Sequence, residues 1–162
     1  MSAIPELLFI CTGNYYRSRF AEAIFNHRAR ESNLGWTAFS RGLEIHRAPN
    51  DAISLHTKEA LELRSIALEH SGTEKVQLDA ADLSRARRIV ALQEEEHMPM
   101  VARDFPGWLE KVEFWDVPDM PFMEPEEALS RIERYVGELV HEIARTPTAR
   151  WSWNNDPGFR CV

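Results

Sequence analysis

The sequence predicts an α/β fold of three layers, in which a four-stranded, parallel, twisted sheet lies between helices on both faces. Short apolar runs alternate with longer segments of helical period along the chain, which is the pattern of right-handed βαβ units. A polar loop containing glycine and asparagine directly follows the first apolar run. Parallel sheets of this kind hold their ligands at the edge where such loops lie.

The first half of the chain supplies two strands, each followed by a helix. Residues 7–10 are a short, continuous apolar run, as expected for a buried strand. Apolar side chains recur at helical spacing after Arg17, and Gly35 ends that helix. Residues 49–51, Pro-Asn-Asp, signal the start of the second helix. The predicted elements are strand 7–10, helix 17–32, strand 36–40 and helix 53–63.

The second half begins with residues 64–77, which we expect to be mostly loop. Beyond them helical and apolar segments alternate again. Pro99 is expected to interrupt the fourth helix, because proline lacks a main-chain donor, and Pro106 and Gly107 are expected to end it. Acidic residues open the last and longest helix at its positive end. The predicted elements are helix 79–86, strand 88–92, helix 93–103, strand 112–115 and helix 124–144.

Length and composition indicate one ordinary soluble domain. The chain has 162 residues, of which 44% are hydrophobic and 28% charged, and can therefore bury a full core. We expect this domain to occupy residues 1–147 and to be followed by an irregular, tryptophan-rich tail at 148–162. The formal net charge of −7 argues against a nucleic-acid partner and against a membrane surface.

The cysteine content and the N-terminus indicate a compartment. The two cysteines are Cys11 and Cys161, at opposite ends of the chain, so no disulfide framework is expected. The first residues show neither the pattern of a signal peptide nor an apolar run long enough to span a membrane. We therefore expect a cytoplasmic protein, because a thiolate survives in that reducing environment.

The loop between the first strand and the first helix concentrates the candidate chemistry. Cys11 ends the strand, and Arg17 and Ser18 begin the helix. A helix N-terminus and a ring of main-chain N–H groups both favour an ionised sulfur and a bound anion. Gly13 and Asn14 suit such a ring, because glycine adopts a positive φ freely and asparagine tolerates it. The predicted phosphate-binding residues are Thr12, Gly13, Asn14, Tyr15, Tyr16, Arg17 and Ser18.

These residue types predict a metal-independent phosphomonoester hydrolase. Arg17 can present a bidentate fork to two phosphoryl oxygens. Attack by the Cys11 sulfur gives a cysteinyl-phosphate that water then hydrolyses, and Ser18 can donate a hydrogen bond to the departing sulfur. Cys11 and Arg17 are therefore candidate catalytic residues, and no cofactor is implied.

A displaced alkoxide or tyrosinate needs a proton, and a carboxyl on the same edge of the sheet is the natural donor. Asp119, in a proline-bracketed loop after the fourth strand, is the preferred candidate, with Asp116 as its rival. The alternative for Asp119 is a turn carboxylate that caps its own loop. Phe122 can form one wall of a pocket for an aromatic substrate. Tyr15 and Tyr16 either line the pocket mouth or simply pack at the helix start.

The loop resembles that of the low-molecular-weight protein tyrosine phosphatases, which reads Cys-x-Gly-Asn-x-x-Arg-Ser. The matching residues are Cys11, Gly13, Asn14, Arg17 and Ser18. Order and spacing are similar over about residues 6–145. The resemblance implies a flavodoxin-like strand order, 2-1-3-4, with Cys11 as nucleophile, Arg17 as phosphate clamp and Asp119 as general acid. It also implies a phosphotyrosyl protein or small aryl phosphate as partner, with phosphate or sulfate able to bind in the loop.

Several positions depart from the family pattern. Tyr16 stands where many members have a second cysteine, and Arg19 stands where a proline usually follows Arg-Ser. Asp119 is followed by Met120 instead of directly by a proline. His70 is the candidate for the family's histidine that supports the loop asparagine.

Two other functions fit the same loop. A thioredoxin-coupled arsenate reductase shares the fold and loop but needs further cysteines to relay a disulfide, and Cys161 is the other thiol available. A non-catalytic phosphate- or phosphotyrosine-binding module would keep the loop as a receptor.

The run at 94–97, Glu-Glu-Glu-His, does not predict a metal site, because adjacent helical residues do not share a face. We expect a solvated face there.

Overall fold

The computed structural model describes residues 3–146, and within them it contains each predicted strand and helix. The strands are β1 (Glu6–Cys11), β2 (Thr37–Gly42), β3 (Arg88–Ala91) and β4 (Val112–Phe114). The helices are α1 (Arg17–Glu31), α2 (Leu55–Leu63), α3 (Ala80–Arg85), α4 (Glu94–Asp104) and α5 (Pro125–Arg145). The expected tail at 148–162, with Cys161, lies outside the described residues.

The sheet is parallel throughout and has the order β2-β1-β3-β4, which confirms the prediction. β1 is central, since Phe9 lies opposite Ser40 of β2 and Val90 of β3. Parallel strands end at the same edge, and Cys11 at the end of β1 is paired with Gly42 at the end of β2. The loops that follow β1, β2, β3 and β4 therefore meet at one edge of the sheet.

Both faces of the sheet are covered by helices. Leu7 and Phe9 of β1 belong to a core shared with α1 and α5, whereas Leu8 and Ile10 belong to a second core shared with α3 and α4. All four side chains are fully buried. This alternation follows from the two-residue period of a strand, and burial on both faces explains why the strand reads as a continuous apolar run.

The longest helix among residues 3–146 is α5, which packs along α1. Its first turn has Pro125 at the start and Glu126 and Glu127 at the positive end of the helix dipole. Its buried residues are Ala128, Leu129, Ile132, Val136, Leu139 and Ile143. Neither α5 nor another helix in this part of the chain is long and apolar enough to cross a membrane.

Pro99 does not interrupt α4, contrary to the prediction. The helix forgoes the one main-chain hydrogen bond that proline cannot donate, while Met100 and Val101 bury their side chains against the sheet and hold the following turn in place.

Residues 64–77 are mostly loop, as predicted, apart from a 3-10 turn at Leu68–Ser71.

Candidate active site

A cavity of about 510 Å³ opens at the carboxyl edge of the sheet. The loop between β1 and α1 forms its floor, and the segments after β2, β3 and β4 form its walls. Its lining residues are Cys11, Thr12, Gly13, Tyr15, Tyr16, Arg17, Arg47, Ala48, Pro49, Ser54, Glu96, Asp119, Met120 and Phe122. The structure thus brings most of the predicted site residues together, while Asn14 and Ser18 are buried behind them.

Tight backbone packing fixes the shape of the loop. Asn14 has a φ of +51°, in the left-handed region that asparagine tolerates. We expected a positive φ at Gly13 as well, but Gly13 does not have one. Gly13 is needed for space instead, because an added Cβ would lie 2.8 Å from the Cβ of Ala48. At Gly42 an added Cβ would lie 2.8 Å from the carbonyl oxygen of Thr12. A side chain at either position would push the loop out of place.

The sulfur of Cys11 is buried and accepts hydrogen bonds from the loop. The main-chain N–H of Asn14 donates to Sγ at 3.2 Å, and Oγ of Ser18 lies 2.8 Å from Sγ. The amide Nδ2 of Asn14 donates to Ser18 Oγ at 3.0 Å. Because Ser18 accepts that bond, its own proton is free to point at the sulfur.

Asn14 is held from behind by β2 and not by His70. Its Nδ2 also donates to Ser40 Oγ at 2.9 Å, and its Oδ1 accepts from the main-chain N–H of Val76 at 2.9 Å. The carbonyl of His70 instead accepts from Asn26. The prediction that His70 supports the loop asparagine is therefore wrong, because a serine hydroxyl and a main-chain amide occupy that place.

Glu22 of α1 completes this buried network. Ser40 Oγ donates to Glu22 Oε1 at 2.5 Å. Burial raises the pKa of Glu22 to about 7, although the Ser40 hydrogen bond and the positive charges of Arg19 and Arg41 act in the opposite direction. A chain of hydrogen bonds thus runs from a carboxyl that titrates near neutrality, through Ser40, Asn14 and Ser18, to the sulfur.

Arg17 is almost completely buried and points its guanidinium toward the cavity. Nη1 donates to the carbonyl of Val117 at 2.8 Å, and Nη2 donates to Oε2 of Glu96 at 2.8 Å and lies 3.4 Å from Oδ2 of Asp119. Burial alone would lower the pKa of Arg17, but the negative charges of Cys11, Glu96 and Asp119 outweigh it, and the net effect raises the pKa. Arg17 therefore remains charged.

Glu96 and His97 are not on a solvated face, contrary to our expectation. Glu96 lines the cavity and His97 is fully buried. His97 Nδ1 accepts from the main-chain N–H of Gln93 at 3.0 Å, which leaves the proton on Nε2. Nε2 lies 2.9 Å from Glu96 Oε2, and Thr12 Oγ1 donates to the same oxygen.

The position of Glu96 and His97 in the chain topology is the feature that could have predicted their place at the site. α4 begins directly after β3, on the same edge of the sheet as Cys11, so its first turn points into the site. The acidic composition of that turn is also typical of a solvent-exposed helix start, so composition alone does not predict that Glu96 faces the site. Glu94 and Glu95 are indeed exposed, whereas Glu96 faces the cavity.

The two candidate acids are placed differently. Asp119 lines the cavity near Arg17, whereas the side chain of Asp116 is 76% exposed and lies 3.7 Å from Arg131. Asp119 also accepts a hydrogen bond from the main-chain N–H of Met120 at 2.9 Å, so it caps its own loop as well. The geometry therefore favours Asp119 over Asp116 as a proton donor to a ligand in the cavity.

Aromatic side chains surround the mouth of the cavity. Tyr15, Tyr16 and Phe122 line it, and Phe122 is 85% exposed. Lys75 Nζ lies 5.7 Å from the centre of the Tyr15 ring. Tyr16 is buried, and burial followed by the charge of Asp119 raises its pKa to about 12. Such walls suit a flat apolar group attached to the bound anion.

Comparison with known proteins agrees with the fold and the loop. Residues 6–149 match the model of a family described as low molecular weight phosphotyrosine protein phosphatase. Over 107 residues, 66% of this chain and 67% of the relative, the sequence is 30% identical to a protein-arginine-phosphatase of Bacillus subtilis strain 168.

Two solved structures have the same architecture. A low molecular weight protein tyrosine phosphatase from T. tengcongensis aligns with a TM-score of 0.72 at 24% identity and covers 85% of this chain and 99% of its own. Wzb from Vibrio vulnificus, in complex with benzylphosphonate, aligns with a TM-score of 0.68 at 18% identity and covers 88% of this chain and 99% of its own. At these identities the likeness supports the fold.

Proposed function

The chain belongs to the low molecular weight phosphotyrosine protein phosphatase family, and from this membership we propose that it hydrolyses phosphotyrosine through a cysteinyl-phosphate intermediate. The observation that carries the proposal is the shared placement of Cys11 and Arg17. The sulfur lies at the floor of the cavity with the Ser18 hydroxyl and the main-chain N–H of Asn14 directed at it, and Arg17 lines the same cavity.

In the first step the Cys11 thiolate attacks phosphorus, and the bond to the leaving oxygen breaks. Arg17 and the main-chain amides of the loop stabilise the charge that spreads over the phosphoryl oxygens. Asp119, which faces the same cavity, gives its proton to the leaving oxygen. In the second step water attacks phosphorus, Asp119 accepts a proton from this water, and the hydrogen bond from Ser18 stabilises the departing thiolate.

The experiment that tests this proposal combines turnover with binding. The protein is expected to hydrolyse p-nitrophenyl phosphate in the presence of a chelator, and Cys11→Ser is expected to lower kcat by at least about 10³-fold. Phosphate binding, measured by calorimetry, should survive in Cys11→Ser because Arg17 and the loop amides remain. Cys161→Ser, the same substitution at the other cysteine, is the matched control and should retain activity. Turnover by Cys11→Ser would refute the assigned nucleophile.

Phosphoarginine is a second candidate substrate. The relative from Bacillus subtilis is named a protein-arginine-phosphatase, and the cavity of this chain has two carboxylates, Asp119 and Glu96, that can attract a guanidinium. Peptides of one sequence that carry either phosphotyrosine or phosphoarginine separate the two candidates. A higher kcat/KM on the phosphotyrosine peptide supports the first proposal, and the reverse ranking supports the second.

The other two alternatives have distinct signatures. An arsenate reductase would oxidise its thiols during turnover, and among residues 3–146 Cys11 is the one cysteine, so thiol counting after incubation with arsenate tests this function directly. A non-catalytic binding module would bind phosphate without releasing p-nitrophenol. The placement of Asp119 beside Arg17, with an oxygen–nitrogen distance of 3.4 Å, favours a catalyst over a receptor, because a receptor needs no proton donor.

A further inference from the structure

Glu96 contributes a second carboxylate to the cavity that no step of the proposed reaction uses. Its Oε2 accepts from Nη2 of Arg17 at 2.8 Å, from Nε2 of His97 at 2.9 Å and from Oγ1 of Thr12. Three donors that converge on one oxygen hold the carboxylate in a single place. Burial alone would raise the pKa of Glu96, but His97 and Arg17 outweigh it and keep the pKa well below its usual range.

The charges that face Glu96 do not balance. On the positive side, Arg17 is shared between Glu96 and Asp119. Arg47 lies at the cavity rim, where its Nη1 pairs with Glu44 at 2.9 Å.

On the negative side stand Glu96, Asp119 and the Cys11 thiolate. His97 does not add a positive charge, because burial followed by the charge of Arg17 lowers its pKa despite the opposing effect of Glu96. In the first step of the proposed reaction Cys11 is a thiolate and Asp119 carries the proton, so at the floor of the cavity the thiolate and Glu96 together outweigh Arg17 by one charge.

We propose that Glu96 selects the charge of the group bound in the loop, so that dianions bind more weakly relative to monoanions than they would without it. The inference rests on the proposed function, because it assumes that a phosphoryl group occupies the loop beside Arg17. Any anion held by Arg17 lies within a few ångströms of the Glu96 carboxylate, where like charges repel strongly in a partly desolvated site. A dianion meets about twice the repulsion that a monoanion meets.

This selection has a consequence for the substrate. A phosphoryl group is accepted most readily when it carries a proton, or when a positive charge next to it offsets its own. A phosphorylated guanidinium satisfies the second condition and a phosphorylated phenol does not. Glu96 therefore moves the preference of the loop toward substrates with a compensating cation.

The test uses two ligands of one shape and different charge. Benzylphosphonate is a dianion at mildly alkaline pH, whereas benzylsulfonate is a monoanion, and both present three oxygens to the loop. Their dissociation constants are measured by calorimetry for the wild-type protein and for Glu96→Gln, which keeps an acceptor oxygen for Arg17 but removes the charge. We expect the ratio of the two constants to shift in favour of benzylphosphonate by about three- to tenfold in Glu96→Gln.

Two further variants give the comparison its controls. Glu95→Gln removes the same charge from an adjacent, exposed position on α4 and should leave the ratio unchanged. Glu96→Asp keeps the charge on a side chain shorter by one carbon, and we expect it to stay within about twofold of wild type. A fall of similar size in affinity for both ligands in Glu96→Gln would overturn the proposal and leave Glu96 as a positioning residue for Arg17. An equal ratio in Glu96→Asp and Glu96→Gln would also overturn it.

Failure of this inference is distinguishable from failure of the proposed function. Calorimetry requires no turnover, so the charge preference is measured whether or not the protein is a hydrolase. If wild-type protein binds benzylphosphonate but releases no p-nitrophenol, the proposed reaction fails and the role of Glu96 can still be confirmed. If the protein turns over p-nitrophenyl phosphate and Glu96→Gln leaves the ratio unchanged, only the role of Glu96 fails.

Discussion

The hydroxyl of Ser18 has one proton, and its neighbours determine where that proton goes. Asn14 Nδ2 directs its hydrogens to Ser18 and to Ser40. Each serine then has its own hydrogen left to donate, and the acceptors within reach are the Cys11 sulfur for Ser18 and the Glu22 carboxylate for Ser40. The donors are thus oriented before a ligand arrives, which avoids a cost of reorganisation during reaction.

Asp119 is expected to matter most for poor leaving groups. Asp119→Asn removes the proton donor, so we expect kcat on phenyl phosphate to fall by about 10²-fold or more, and kcat on p-nitrophenyl phosphate to fall less, since p-nitrophenolate leaves without full protonation. Steady-state kinetics on both esters check this. Asp116→Asn, with an exposed side chain, is the control. If both esters slow down equally in Asp119→Asn, the proton comes from another group.

Glu22 is expected to make stability depend on pH. Its folded-state pKa of about 7 lies above the ordinary value of 4.5, so the folded protein holds this proton more tightly than the unfolded chain does. The stabilisation by Glu22 is therefore fully present below about pH 4.5 and is lost as the pH rises through about 7. Glu22→Gln removes this dependence on pH. Its free energy of unfolding should therefore rise relative to that of wild type by on the order of 3 kcal/mol between about pH 4.5 and pH 7.

The measurement is denaturant unfolding of both proteins at several pH values across the window. Glu59→Gln replaces an exposed glutamate of α2 and serves as the control that should show little change with pH. A constant difference in unfolding free energy between Glu22→Gln and wild type would show that the Glu22 carboxyl keeps an ordinary affinity for its proton in the folded state.

Arg19 connects α1 to two neighbouring segments of the chain. The residue is 1% exposed, and its guanidinium donates to the carbonyls of Ser71 at 2.8 Å, Ala52 at 2.9 Å and Gly72 at 3.0 Å. Burial lowers the pKa of Arg19, partly offset by Glu22. The segment that contains Ala52 also carries cavity-lining residues, so Arg19 links the phosphate loop to one wall of the cavity.

Arg19→Met is expected to destabilise the protein by about 3 kcal/mol, because the carbonyls of Ser71, Ala52 and Gly72 lose their charged donor. The KM for aryl phosphates should rise as the wall near Ala52 loosens, while kcat changes less. Denaturant unfolding and steady-state kinetics measure the two effects. Arg30→Met, at an exposed position of the same helix, is the control, and an equal loss of stability in both variants would exclude the fastening role.

Local sequence patterns predict the strands, the helices and the loop around Cys11, but not the contacts between distant segments. Strands and helices followed from local periodicity, and the motif around Cys11 identified the loop because its residues are contiguous. The carbonyl partners of Arg19 and the placement of Glu96 depend on chain segments far apart in sequence, for which a local pattern carries no signal. In the sequence Arg19 shows only a departure from a usual proline, and the acidic helix start that contains Glu96 predicts a solvent-exposed surface.

For the whole molecule, the scarcity of thiols determines the response to oxidation. Cys11 is the one cysteine among residues 3–146, and Tyr16 occupies the position of a neighbouring thiol. We expect peroxide to convert Cys11 to a sulfenic acid and then to a sulfinic acid, which a dithiol does not reduce. Recovery of activity with dithiothreitol after graded peroxide exposure, followed by intact-mass measurement, checks this. Full recovery together with a disulfide between Cys11 and Cys161 would contradict it.

The direction of β1 has a practical consequence for handling the protein. The strand starts at Glu6 and reaches the floor of the cavity at Cys11, so its two ends lie about 17 Å apart across the thickness of the molecule. A purification tag or surface linker attached before Glu6 therefore projects from the side opposite the cavity mouth. Protein immobilised in that orientation presents its open face to solution, which suits capture of phosphorylated peptides on a sensor chip.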